Sequence, residues 1–223
     1  MEFRHELKFV VSDAQLEALR YRIAPFMQTD KNQKDGCYTI TSLYFDDVYD
    51  SCFRENLGGF DRRSKYRIRI YENDFGVIKL EKKSKLHGMC KKESVRLSLE
   101  ECQQLTDGEN LYSRAGLDAK KQLLLCEMQM RGLMPKSIVE YERTAFVNPV
   151  GNVRITFDRN IRGSLKVEDF YDERICMVPL LDEGVHVLEV KYDEFLPAYI
   201  YQALEIETLQ QTSFSKYGYS RTI

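Results

Sequence analysis

The sequence has no C-x-x-C pair, no clustered histidines and no long apolar run, and each absence removes a class of protein. The six cysteines (Cys37, Cys52, Cys90, Cys102, Cys126, Cys176) are scattered, and His5, His87 and His186 stand apart from one another. A structural zinc site draws its ligands from closely spaced Cys and His, so none is expected. No stretch approaches the roughly 20 apolar residues that a membrane-spanning helix needs. The opening residues, Met1-Glu2-Phe3-Arg4-His5-Glu6, carry charge at once, where a signal peptide would have an apolar core. Together with the scattered cysteines, this leads us to expect reduced thiols in a cytoplasmic protein. There is no G-x-x-x-x-G-K-[ST] loop, no G-x-G-x-x-G fingerprint, no Ser/His/Asp set and no H-E-x-x-H. No Pro/Gly/Ser linker, low-complexity tract or internal repeat divides the chain, so a single domain over residues 1–223 is expected.

What is present is an ordinary globular composition, 43% hydrophobic and 30% charged, which argues against disorder. The net charge of −2 argues against broad nucleic-acid binding, and any basic site must be local. Charges recur at alternate positions in several short segments. Arg4, Glu6 and Lys8 alternate with Phe3, His5, Leu7 and Phe9; Arg67 and Arg69 with Tyr66, Ile68 and Ile70. Lys79, Glu81 and Lys83 face away from Ile78 and Leu80, Arg154 and Asp158 from Val153, Ile155 and Phe157, and Glu189 and Lys191 from Leu188 and Val190. A period of two belongs to strands with unlike faces.

The rest of the pattern places these strands. A first strand over Glu2–Val11 leads into a helix opened by Ser12 with Gln15, a capping box. Strands follow at Tyr38–Phe45 and Lys65–Glu72, and Asn73-Asp74-Phe75-Gly76 turns the chain into a strand at Val77–Lys83. An extended segment ends at Leu97, and Ser98 with Glu101 opens a second helix. Asp118–Arg131 reads as a helix stopped by Gly132 and Pro135. Strands resume at Ser137–Phe146, Val153–Asp158 and His186–Tyr192, before a final helix with Pro197 near its first turn. Tight turns and clustered helices indicate an α+β fold with a largely antiparallel sheet.

An alternating charged face is commonly the solvated side of an antiparallel sheet. Here the polar positions hold mainly Arg, Lys and Glu, and the opposite faces are apolar enough to need helices over them. If the sheet closes into a barrel with helices outside, its charged face becomes the lumen. An empty lumen of that kind would be costly, because buried unpaired ions lose hydration. A phosphate chain would compensate them, with carboxylates holding Mg²⁺ or Mn²⁺ between phosphate oxygens. Gly58-Gly59 beside Arg62 and Arg63 reads as a flexible connection more than a phosphate loop, and the dispersed tyrosines read as sheet packing.

These segments, in order, resemble the VTC-type polyphosphate polymerase domain of the triphosphate tunnel metalloenzyme group. The resemblance is carried by Arg4-His5-Glu6-Leu7-Lys8-Phe9, Ser42-Leu43-Tyr44-Phe45-Asp46, Tyr66-Arg67-Ile68-Arg69-Ile70-Tyr71 and Leu80-Glu81-Lys82-Lys83. It continues through Glu140-Tyr141-Glu142-Arg143-Thr144-Ala145-Phe146, Val153-Arg154-Ile155-Thr156-Phe157-Asp158, Leu188-Glu189-Val190-Lys191 and Phe214-Ser215-Lys216-Tyr217. It implies a closed antiparallel β tunnel with a basic lumen and helices packed outside. It further implies transfer of the γ-phosphate of ATP to a growing inorganic polyphosphate chain, with Mn²⁺ or Mg²⁺. Carried over by motif, Arg67, Arg69, Lys83, Arg143 and Arg154 are the expected catalytic cations, and Lys8, Lys191 and Lys216 further phosphate contacts. Glu189 is expected to hold the metal, with Glu6 as a second ligand or an ion-pair partner, and Glu81 to pair with its neighbours. Lys92 and Arg96 share one period, and either or both could face the lumen. Asp158 is expected as a turn residue at a strand end. A tunnel-type triphosphatase or polyphosphatase, and a non-catalytic polyphosphate or inositol-phosphate binding module, use the same residues and stay open as alternatives.

Overall fold

The alternation becomes one curled, 10-stranded antiparallel sheet in the computed structural model, which describes residues 4–31, 33, 36–113, 116–172, 174–205 and 209–223. In chain order the elements are β1 (His5–Ser12), α1 (Asp13–Ile23), β2 (Gln28–Thr29), β3 (Tyr38–Asp46), α2 (Ser51–Leu57), β4 (Arg63–Tyr71), β5 (Asp74–Leu86) and β6 (Met89–Leu97). They continue as α3 (Leu99–Thr106), α4 (Ala119–Met130), β7 (Met134–Asn148), β8 (Val153–Ser164), β9 (Val178–Pro179), β10 (Val185–Tyr192), α5 (Ala198–Ala203) and α6 (Lys216–Ser220). The sheet runs β1-β10-β8-β7-β3-β4-β5-β6, with β2 on β7 and β9 on β8. The expected first strand begins at His5; Glu2 and Phe3 lie outside the described residues.

Period two sends one side chain in two to the outer face, and the helices cover that face in two groups. Phe9, Val11, Ile155, Phe157, Leu188 and Val190 bury against Leu16, Leu19 and Ile23 of α1 and Ile200 of α5. Leu43, Phe45, Tyr66, Ile68, Ile70, Ile78 and Leu80 bury with Cys102 and Leu105 of α3 and Leu124, Leu125 and Met128 of α4. Both capping boxes form: the Gln15 N–H donates to Ser12 Oγ at 3.3 Å and the Glu101 N–H to Ser98 Oγ at 3.1 Å. The β4–β5 turn is tighter than expected. Glu72 and Asn73 take φ of 53° and 52°, the two-residue turn whose twist matches an antiparallel hairpin.

Two expectations need correction. The excursion after β3 contains a helix, α2, because the buried Asp46 carboxylate accepts from the N–H groups of Cys52 and Phe53 at 2.8 Å each. Helix α5, with Pro197 at its N-cap and so near its first turn as expected, is not the final helix, because α6 follows it.

The closed barrel is also corrected: among the described residues the sheet is a curled, open tunnel. Its end strands meet only where Arg4 and Cys90 exchange two backbone hydrogen bonds of 3.0 Å. Cys90 is the second residue of β6, after the His87–Gly88 turn, so β1 runs on past the hairpin tip and finds no further partner there. Beyond that point the chain segment before α6 covers the edge of β1, with the Thr212 N–H donating to the Lys8 carbonyl at 2.9 Å. No helix among the described residues is long and apolar enough to cross a membrane.

Candidate phosphate-binding cavity

The concave face of the sheet encloses a cavity of about 370 Å³. Its lining includes Lys8, Arg67, Arg69, Lys83, Lys92, Arg143, Arg154, Lys191 and Lys216, together with Glu6 and Glu189. Arg96 is the one expected site residue outside it. Four residues beyond Lys92 on β6, or ~13 Å along the strand, Arg96 stands exposed opposite Lys79. Sequence reasoning gave no site role to Arg4, Lys65 or Lys91, or to the tyrosines Tyr38, Tyr44, Tyr71 and Tyr141, all of which also line the cavity.

On the β4–β5 wall, alternation brings Lys65, Arg67 and Arg69 inward beside Glu81. Glu81 is fully buried and accepts from Arg67 Nε and Nη2 at 2.9 and 2.7 Å and from Lys92 Nζ at 3.1 Å, with Arg69 Nη1 at 3.6 Å. Burial alone would raise its pKa, but Arg69, Arg67 and Lys92 hold it well below the usual carboxylate range. Glu81 is therefore an ion-pair hub, as expected. It aims Arg67, whose Nη1 also donates to Tyr44 Oη at 3.2 Å, while Arg69 Nη2 donates to Tyr141 Oη at 3.1 Å. These tyrosines orient guanidinium groups as well as packing the sheet.

The β1–β10 register makes a checkerboard, with Glu6 opposite Lys191 and Lys8 opposite Glu189. Glu6 accepts from Lys83 Nζ at 2.7 and 2.6 Å and lies 3.3 Å from Lys8 Nζ and 3.8 Å from Lys191 Nζ. Lys191 is also ion-paired to Glu189. Burial would raise the pKa of Glu189, yet Lys191, Lys8 and Lys83 keep it well below the usual range, so it is a carboxylate at neutral pH. Among the described residues no group of three or more His, Cys, Asp or Glu could cage a metal. Two ionised carboxylates facing a phosphate-sized cavity do fit a hard cation of another kind, one that keeps waters and takes its remaining ligands from substrate phosphates.

The third wall comes from β7, β8 and α6. Asp158 is not a turn residue: it lies inside β8, fully buried, because β8 runs on to Ser164. It accepts from Arg143 Nε and Nη2 at 2.6 and 2.7 Å and from Lys216 Nζ at 2.5 Å. Lys216 Nζ also stands 4.6 Å from the Tyr141 ring centroid, within cation–π range. Arg154 pairs with Asp30 and donates to Tyr38 Oη at 3.2 Å. Helix α6 is held in place by Tyr217 Oη on Asp46 at 2.6 Å and by Ser220 on Ser137 at 2.7 Å.

A second cavity of about 370 Å³ adjoins the first, sharing Glu6, Lys8, Lys65, Lys83, Cys90 and Ser215 and adding Arg63 and Lys85. Gly59 lies on its wall, while Gly58 caps α2.

No curated protein matches the chain. Among solved structures, a Bacillus halodurans protein described as a provisionally assigned adenylate cyclase is 12% identical over 92% of this chain and 88% of its own, with a TM-score of 0.52. A Vibrio parahaemolyticus protein of the same description is 12% identical over 92% of this chain and 84% of its own, with a TM-score of 0.47. A Pyrococcus horikoshii protein is 14% identical over 96% of each chain, also at 0.47. At 12% identity the likeness to the Bacillus halodurans protein is one of fold alone. The VTC domain model matches residues 3–223, nearly the whole length, in agreement with the ordered motifs quoted above. The chain belongs to the VTC domain family.

Proposed function

We propose that the protein is a polyphosphate polymerase that transfers the γ-phosphate of ATP to a growing inorganic polyphosphate chain within its cavity. One observation carries this reading. Lys and Arg side chains from β1, β4, β5, β6, β7, β8, β10 and α6 converge on one phosphate-sized space, and the carboxylates among them are already neutralised. Such convergence suits a linear polyanion, whose oxygens accept from guanidinium forks and ammonium groups together.

Phosphoryl transfer passes through a loose transition state, so positioning and charge stabilisation are the protein's task. Arg67 and Arg69, aimed by Glu81 and the tyrosines, and Arg143, aimed by Asp158, would neutralise nonbridging oxygens at the reacting phosphate. Lys83 and Arg154, which also line the cavity, would do the same, while Lys8, Lys92, Lys191 and Lys216 would hold the rest of the chain. No side chain need act as base or nucleophile, because the attacking terminal phosphate oxygen is already anionic. Glu189 and Glu6 would hold Mn²⁺ or Mg²⁺, which supplies screening of the leaving group's charge.

Purified protein incubated with ATP and Mn²⁺, with products resolved on a polyphosphate gel, tests the reading. A ladder of lengthening chains is expected. Orthophosphate alone would replace it with a hydrolase, and unchanged ATP with bound tripolyphosphate would replace it with a binding module.

A further inference from the structure

Every Lys and Arg lining the first cavity has a carboxylate within 4.0 Å, with one exception among the described residues: Lys65. Its Nζ donates only to Ser215 Oγ, at 2.8 Å, a neutral partner. The register makes its position worse. Lys65 lies directly opposite Lys83, and the next pair on the same face sets Arg63 opposite Lys85. Like charges directly opposed across a sheet are destabilising. Burial, and then the ammonium groups of Lys8 and Lys83, hold the Lys65 amine well below the usual lysine range, with Arg67 adding to them and Glu6 opposing. A protein has no structural reason to seat a lysine so. Polar groups left uncompensated inside a fold mark sites where another molecule completes them.

Lys65 also stands where the two cavities meet, lining both. We propose that Lys65 is a phosphate-binding residue whose missing counter-charge is supplied by the bound polyanion, at the point where a chain passes from the first cavity toward the second. Ser215, which accepts from it, then sets the direction of the ammonium group before ligand arrives. The proposal rests on the polyphosphate reading and adds to it a residue bound to phosphate rather than to the protein's own carboxylates.

The assignment makes two opposite demands on one substitution, which a structural role would not. Lys65→Met keeps the stem and removes the charge. Without ligand, its melting temperature should rise by about 2 °C or more, since an uncompensated ammonium has gone. Its affinity for tripolyphosphate should fall by about tenfold or more, the loss of one charged phosphate contact. Lys65→Arg should retain tight binding, and Lys65→Gln serves as a second neutral variant should the Met variant fold poorly. Tripolyphosphate titrations followed by thermal melting and calorimetry give both readouts. A neutral variant that is less stable without ligand and binds tripolyphosphate as tightly as the unaltered protein would overturn the assignment and leave the polyphosphate reading standing. Failure of the unaltered protein to bind tripolyphosphate would instead overturn that reading first.

Discussion

Glu189 and Asp158 are both buried carboxylates among cations, and their surroundings give them different work. Asp158 is fully buried and faces Arg143 and Lys216 at hydrogen-bond distance. Asp158→Asn strands two buried cations and should cost about 3–5 kcal/mol at neutral pH, read by denaturant unfolding. Burial opposes its charge, but Arg143 and Lys216 prevail and its pKa is lowered. The stabilisation is thus present above the unfolded carboxyl pKa, near 4, and is lost as pH falls through the folded value. The deficit of Asp158→Asn should accordingly narrow in acid. Glu189 is ion-paired to Lys191 and faces the cavity. Glu189→Gln should leave the fold intact and metal-free tripolyphosphate binding as tight or tighter, while metal-dependent turnover falls by roughly a hundredfold. Full metal-dependent activity in that variant would make Glu189 an ion-pair partner only.

At the scale of elements, most of the fold was legible because periodicity and caps are local. Ser12 with Gln15 and Ser98 with Glu101 announced α1 and α3, and alternation placed β1, β4, β5, β8 and β10 on their correct faces. Helix α2 was not legible, since its N-cap Asp50 makes no side-chain cap and its first N–H groups go instead to the Asp47 and Asp46 carboxylates four to seven residues upstream, a spacing no capping box has. Lys65 escaped notice for a related reason: it sits at the head of β4, outside the motif that carried the resemblance, and its lack of a carboxylate exists only in three dimensions. The tyrosines were legible as sheet formers, but their hydrogen bonds to Arg67 and Arg69 depend on which strands are neighbours. Helix α6 is too short to hold itself, and its anchor can be tested. Tyr217→Phe removes the hydroxyl that donates to Asp46 at 2.6 Å, leaving that buried carboxylate one donor short. A stability loss of about 1–3 kcal/mol is expected. Tripolyphosphate affinity should weaken with it, because Ser215 and Lys216 ride on the same turn.

For the whole molecule, the concentration of cations in one cavity means that a polyanion should stabilise the fold more than simple salt does. Tripolyphosphate at about 100 times its dissociation constant should add roughly 2.7 kcal/mol, read as a shift in melting temperature that chloride at equal ionic strength does not reproduce. A flat response with and without metal would count against a phosphate site altogether. The expected closed barrel was the part least readable, because closure depends on where two end strands run out, and here the β5–β6 hairpin ends before β1 does. The pairing of β1 with β10 has a consequence in time as well as in space. It joins segments from opposite ends of the described chain, so the loop it must close is among the longest in the molecule. The β4–β5–β6 meander can assemble early from neighbours in sequence, whereas the Glu6–Lys191 and Lys8–Glu189 pairs must await almost everything else. During refolding the arginine wall, with Glu81 already among its cations, should exist before Glu6 and Glu189 arrive. Lys83 in that wall will then lack Glu6, its partner in the finished protein, and a polyanion present at that moment would meet it first.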